Sequence, residues 1–251
     1  MKNAAKTMRL DQFLVSLDRF KTRSRARDAV QRGVVTVNGR IARKPGEMVA
    51  NDAIITVNDP AERYVSRAAL KLIAALDHFG LSPQNMHALD IGASTGGFTQ
   101  VLLERGASHV TAIDVGHDQM AKTISKNPSV TNIEGLNARS LGSEDIGTDE
   151  IGFVVSDVSF ISLKLALPPA LALASPGAFC VLLVKPQFEA GKSNIGKKGL
   201  LKDPALGPQI AADLENWLQS ECGWKSLGIT PSPIEGGDGN REYLLAGRKP
   251  F

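Results

Sequence analysis

A doubly wound α/β sheet behind a small α+β N-terminal domain is the fold class predicted by this 251-residue sequence. Three observations carry that prediction. Residues 1–58 hold twelve Lys and Arg against five acids, a charge of +7, while the remainder carries −4. Beyond about residue 65, short apolar runs alternate with longer amphipathic ones, the rhythm of parallel strands joined by crossover helices. One of those runs leads into Asp90-Ile-Gly-Ala-Ser-Thr-Gly-Gly-Phe98, an acid followed by a glycine-dense turn that opens a helix. Gly92, Gly96 and Gly97 permit backbone angles closed to other residues, and the helix after them turns free N–H groups toward the turn, so the stretch reads as a nucleotide-cofactor loop.

Composition narrows the class. With 43% hydrophobic residues the chain can bury one full α/β core and a small second domain. Its longest apolar stretches, Leu165–Ala174 (broken by Pro168 and Pro169) and Ala178–Val184, fall far short of the roughly 20 residues of a membrane span. The polar N-terminus has no apolar signal core, and Cys180 and Cys222 stand apart, so a reducing cytoplasm is expected. Four histidines, His78, His87, His109 and His117, are scattered singly and no metal site is expected.

In chain order, residues 1–7 read as a flexible tail and residues 1–58 as one domain. Helices are expected over Arg9–Asp18 and Ser24–Arg32, then a strand Val34–Val37, a hairpin turn at Asn38-Gly39 and a strand Ala53–Val57. Leu10, Phe13, Leu14 and Leu17 fall at helical spacing as one buried stripe, leaving Arg23, Arg25 and Arg27 for a partner. A basic lobe on a mildly acidic body points to a polyanion. The pattern Arg9-Leu-Asp11, Ser24-Arg-Ala26, Gly33-Val-Val-Thr-Val-Asn-Gly39, Lys44-Pro45 and Asp52 resembles the alpha-L RNA-binding motif, which grips folded RNA by shape and phosphate contacts. The resemblance implies an RNA-facing set of Arg9, Arg23, Arg25, Arg27, Arg32 and Lys44.

A linker is expected over residues 59–64 and the second domain over 65–251. Its reading runs helix Ser66–Phe79, strand His87–Ile91, helix Phe98–Arg105, strand His109–Ile113, a helix from about His117, strands Val130–Glu134 and Gly152–Ser156, and helix Ser162–Ala174. Strand Ala178–Val184, a helix near Pro204–Ser220 and strands Trp224–Ile229 and Arg241–Arg248 complete it. Ligands of such sheets bind beyond the carboxyl ends of the strands. Asp114 ends a strand 24 residues after Asp90, where a dinucleotide fold holds a ribose diol, so a nicotinamide enzyme could share this layout. Against it, the turn lacks the Gly-x-Gly-x-x-Gly spacing, and an acid stands where pyrophosphate would be repelled. S-adenosylmethionine has a sulfonium, an amine and a ribose diol without phosphate, and suits the acid.

Asp90-Ile-Gly-Ala-Ser-Thr-Gly-Gly-Phe-Thr99 is similar to the loop of FtsJ-like RNA methyltransferases, and with the basic domain in front the chain resembles the TlyA family from about Met8 to Lys249. That resemblance implies a Rossmann-like S-adenosylmethionine-dependent methyltransferase acting on ribosomal RNA, at a ribose 2′-hydroxyl, with cytidine as target. It places Asp90, Gly92, Ser94, Thr95, Gly96 and Gly97 around the methionine part of the cofactor, with Phe98 also cofactor-binding. Asp114 and Val115 would meet the ribose and adenine, with Asn137 and Arg139 on the adenine side and Asp157 also at the cofactor. A catalytic tetrad is carried over as Lys71, Asp157, Lys185 and Glu242, with Lys185 the expected base. The segment Pro186–Asp203, with Lys192, Lys197, Lys198 and Lys202, reads either as a mobile surface loop or as a phosphate-contacting lid. Rival readings are a non-catalytic RNA-binding or ribosome-assembly factor, a membrane-active hemolysin, and, for the N-terminal domain alone, a pseudouridine synthase.

Overall fold

The computed structural model describes residues 7–147, 150–236 and 239–251. Lys2, Lys6 and all of the expected tail except Thr7 lie outside them; Thr7 itself belongs to a strand. The chain divides into two compact units, Met1–Glu62 and Arg63–Phe251.

In the first unit, strand β1 (Thr7–Arg9) pairs antiparallel with β4 (Met48–Ala50), a pairing absent from the sequence reading. Helix α1 spans Leu10–Ser16 and α2 spans Arg23–Arg32. Thr22 Oγ1 caps α2 by accepting from Arg25 N, and Gly33, at φ 76°, ends it in the left-handed conformation. Strand β2 (Val35–Val37) turns through Asn38 and Gly39, both at positive φ, into β3 (Arg40–Ile41), and also pairs with β5 (Ile55–Val57). The expected stripe is buried at Leu10, Phe13 and Leu14, and packs on Ala26, Val30 and Val35; Leu17 is 44% exposed.

The second unit is a seven-stranded sheet ordered β11-β12-β10-β9-β6-β7-β8. Its strands are β6 (His87–Ile91), β7 (His109–Asp114), β8 (Val130–Glu134), β9 (Ile151–Ser156), β10 (Ala174–Val184), β11 (Lys225–Pro231) and β12 (Tyr243–Arg248). Strands β6 to β10 run parallel, and β12 is antiparallel to both neighbours. From β6 the chain proceeds to β7 and β8 on one side and returns to β9 on the other, so strand order reverses between β6 and β9. Crevices form at such reversals. Helices α3 (Ala69–Phe79), α4 (Gly97–Glu104) and α10 (Leu206–Ser220) are the long ones; their apolar faces join two cores, one on each side of the sheet. Strand β6 and the run Cys180–Val184 are buried throughout, as expected of central strands covered on both faces.

Two expected helices differ. The region from His117 yields only α5 (Lys122–Ser125), because Asp118 takes φ 55° and donates its N–H to Glu134 Oε2, pinning the preceding segment to β8. The span Ser162–Ala174 breaks into α7 (Leu163–Ala166) and α8 (Pro168–Leu173), since Pro168 and Pro169 lack the N–H that a continuous helix needs. Short helices α6 (Ser143–Ile146) and α9 (Pro186–Glu189) are additional. Among the described residues no helix is long and apolar enough to cross a membrane.

Candidate active site

Two cavities open at the carboxyl ends of β6 and β9. The larger, about 440 Å³, is lined by Asp114, Val115, Leu136, Asn137, Val158 and Phe160 among others, and the smaller, about 150 Å³, by Ser66, Thr95, Gly97, Phe98 and Lys185. Gly92, Ser94, Asp157 and Ser159 belong to both walls, so the cavities meet there.

The loop after β6 is shaped from within. Gly92 sits at φ 82°, and a Cβ there would stand 3.0 Å from the backbone N and Cα of Val158, so only glycine allows the loops after β6 and β9 to approach this closely. Gly92 N and Ala93 N both donate to the carbonyl of Ile113. Ser94 N donates to Asp114 Oδ2 and Gly116 N to Asp114 Oδ1, each at 2.8 Å, fixing that carboxylate on the cavity wall with lone pairs to spare. Ser94 Oγ donates to Gln119 Oε1 at 3.0 Å, and Gln119 joins the same wall without any motif to mark it in the sequence.

Asp90 lines neither of these two cavities. It is fully buried; Thr99 Oγ1 donates to its Oδ2 at 2.7 Å, and Oδ1 has no hydrogen-bond partner among the described residues. Burial first, then the charges of Asp157 and Asp114, push its pKa up to about 7 against the opposing bond from Thr99. Gly96 also lines neither cavity and instead starts α4 at φ 90°.

The four tetrad residues arrive as two ion pairs. Lys185, at the end of β10, places Nζ 2.6 Å from Asp157 Oδ1, off the hydrogen-bond direction, and donates to Ser159 Oγ at 2.7 Å. Lys71, from α3, stands 2.5 Å from Glu242, just ahead of β12. Both lysines and Glu242 are under a tenth exposed. Asp157 and Lys185 face the cavities, whereas Lys71 and Glu242 do not line them. An amine, a carboxylate and a hydroxyl thus converge where the cavities meet, the equipment of proton transfer. Ser159 escaped the sequence reading, although it lies two residues from Asp157.

Segment Lys185–Glu189 also grips the loop after β9. Glu189 accepts from Ser162 Oγ at 2.5 Å and Leu163 N at 2.8 Å, and the Phe188 and Phe160 rings are 5.1 Å apart. Phe160 is 90% exposed at φ 66° on the larger cavity's rim.

The basic residues fall into different settings. Arg27, Lys44, Lys192, Lys197 and Lys198 are exposed, and Arg25 is half-buried. Arg9 and Arg23 are partly exposed and both reach Asp11. Arg32 is engaged inside its unit, bonding Asp28 at 2.7 Å and gripping Asp59 with two bonds of 2.8 and 2.7 Å, so its fork is turned away from solvent. Among the described residues no group of three or more His, Cys, Asp or Glu could hold a metal ion.

Residues 64–249 match the FtsJ-like methyltransferase family, and residues 8–55 match the S4 domain. The chain is 43% identical over 242 residues to the 16S/23S rRNA (cytidine-2′-O)-methyltransferase TlyA of Mycobacterium tuberculosis, covering 96% of this chain and 90% of that protein. It is 40% identical over 240 residues to a Brachyspira hyodysenteriae protein named Hemolysin A, covering 94% and 98%. A solved structure from Streptococcus thermophilus, named as a candidate hemolysin, superposes with a TM-score of 0.76 at 37% identity over 98% of this chain and 90% of that one.

Proposed function

The chain belongs to the FtsJ-like methyltransferase family, and from that premise we propose that it methylates a cytidine ribose 2′-hydroxyl of ribosomal RNA with S-adenosylmethionine. The observation that supports this most directly is the Lys185–Asp157 pair, facing the junction of the two cavities.

The larger cavity suits a nucleoside, with Asp114 for the diol and Val115, Leu136 and Asn137 flanking a flat base. Gly92, Ser94, Thr95, Gly97 and Phe98 would take the amino-acid end of the cofactor, with Gly96 shaping the turn and Asp90 buried in the strand that precedes it. When bound, S-adenosylmethionine supplies an electrophilic methyl on sulfur. Lys185 would accept the 2′-hydroxyl proton as the C–O bond forms and the methyl leaves its sulfur, and Asp157 at 2.6 Å would stabilise the resulting ammonium. Ser159 holds Nζ on line. The Lys71–Glu242 pair works as a charge-balanced support, since neither residue lines a cavity. Holding hydroxyl and methyl in line removes much of the entropic barrier. The S4 domain and the exposed Lys192, Lys197 and Lys198 would contact the RNA backbone.

Labelled methyl transfer to separated ribosomal subunits and to bare ribosomal RNA, followed by alkaline hydrolysis, tests this reading. A 2′-O-methyl blocks cleavage at its own site; normal cleavage at the labelled nucleotide would mean a base methyl and overturn it.

A further inference from the structure

Asp11 is wholly buried in the first unit, and both of its oxygens receive arginine donors. Arg9 approaches side-on, Nε to Oδ1 at 3.1 Å and Nη2 to Oδ2 at 3.3 Å, and Arg23 adds Nη2 to Oδ2 at 3.0 Å. The backbone around the carboxylate is equally determined: Leu10 N donates to Glu47 O and Asp11 N to Pro45 O, so the segment beside Lys44 is tied to the start of α1. Arg9 lies across Gly46, its guanidinium nitrogens 2.9 Å from where a Cβ would be. Burial pushes the Asp11 carboxyl up, but the bonds and charges of Arg9 and Arg23 outweigh it and hold the group below the usual range. Even so, the two arginine side chains stay 45% and 53% exposed, with most of their N–H donors unspent among the described residues.

We propose that Asp11 is a positioning residue for RNA binding: one buried carboxylate locks two like-charged guanidiniums side by side as a preformed clamp for backbone phosphate. Without it, two cations at this spacing repel, and each RNA contact must order a free arginine side chain. The proposal rests on the reading of the N-terminal unit as RNA-binding.

Its test turns on a sign. Asp11→Asn and Asp18→Asn change net charge identically, and simple attraction to a polyanion predicts that both tighten binding. Asp18 is exposed at φ 56°, a conformation that Asn tolerates. Filter binding of the full chain to bare ribosomal RNA, with thermal melts and methyl-transfer kinetics, should show Asp18→Asn binding as tightly as wild type or tighter. Asp11→Asn should bind about tenfold more weakly and raise KM for RNA with kcat unchanged. Equal or tighter binding by a folded Asp11→Asn overturns the proposal. If that variant melts, Arg23→Lys decides: it keeps the charge on a half-exposed side chain but loses the fork, so weaker binding supports the clamp and unchanged binding overturns it. An Arg9→Ala, Arg23→Ala double variant that binds RNA normally would instead remove the RNA reading of this face.

Discussion

Lys185 and Asp90 are both buried ionisable groups, yet they have opposite consequences. Lys185 has a carboxylate at 2.6 Å and a cavity in front of it, so its removal should fall on the chemical step. Lys185→Ala should lower kcat by about 10² to 10⁴ while calorimetry still detects S-adenosylmethionine binding; near-normal turnover would exclude Lys185 as base. Asp90 lines neither of the two cavities, and its folded pKa of about 7 lies above the ordinary value of 3.8. Between those values the unfolded chain ionises while the folded one keeps its proton. Its contribution to stability is therefore full below about pH 4, falls as pH rises toward 7 and is lost above it. Asp90→Asn can still accept from Thr99, so melts of the cofactor-free protein should show a gain near pH 8, about 2–4 °C for each kcal/mol recovered, and little change near pH 4. Equal gains at both pH values would show that Asp90 does not titrate in this range.

Among elements, α9 is one turn long but fastens the wall of the larger cavity through Glu189, Phe188 and the preceding Lys185. Glu189→Ala removes the acceptor for Ser162 and Leu163, freeing the loop that carries Asp157 to Ile161. Cofactor affinity should fall about tenfold, equivalent to 1.4 kcal/mol, with Glu189→Gln recovering most of it by titration calorimetry. Undiminished affinity in Glu189→Ala would mean that the loop is held by its other contacts alone. The break between α7 and α8 was foreshadowed by Pro168 and Pro169, but the loss of helix after His117 was not, because a side chain of β8 holds Asp118 from 16 residues away. Strand β1 was hidden for a related reason: its partner β4 lies some 40 residues on, and three residues carry too little periodicity to declare a strand.

For the molecule as a whole, charge separates two kinds of binding. The basic N-terminal unit would meet phosphate and release counterions, whereas the cavities present one largely buried lysine beside acids and hydroxyls to a ligand without phosphate. Raising salt from about 50 to 200 mM should weaken RNA binding by orders of magnitude and leave cofactor binding little changed; equal sensitivity of the two would contradict this division. The alternation of strands and helices, the acid-and-glycine turn, the acid ending β7 and the basic lobe are local in the chain, so the fold class was legible in the sequence, which also pointed to a cofactor loop and a polyanion partner. The pairing within the tetrad was decided only in three dimensions. Lys71 meets Glu242 across 171 residues and Lys185 meets Asp157 across 28, and no periodicity encodes which amine takes which acid. The tertiary structure likewise buried Asp90 completely and turned Arg32 onto Asp59. Burial and partner choice depend on what packs against a side chain from other elements, and a linear pattern does not carry that information.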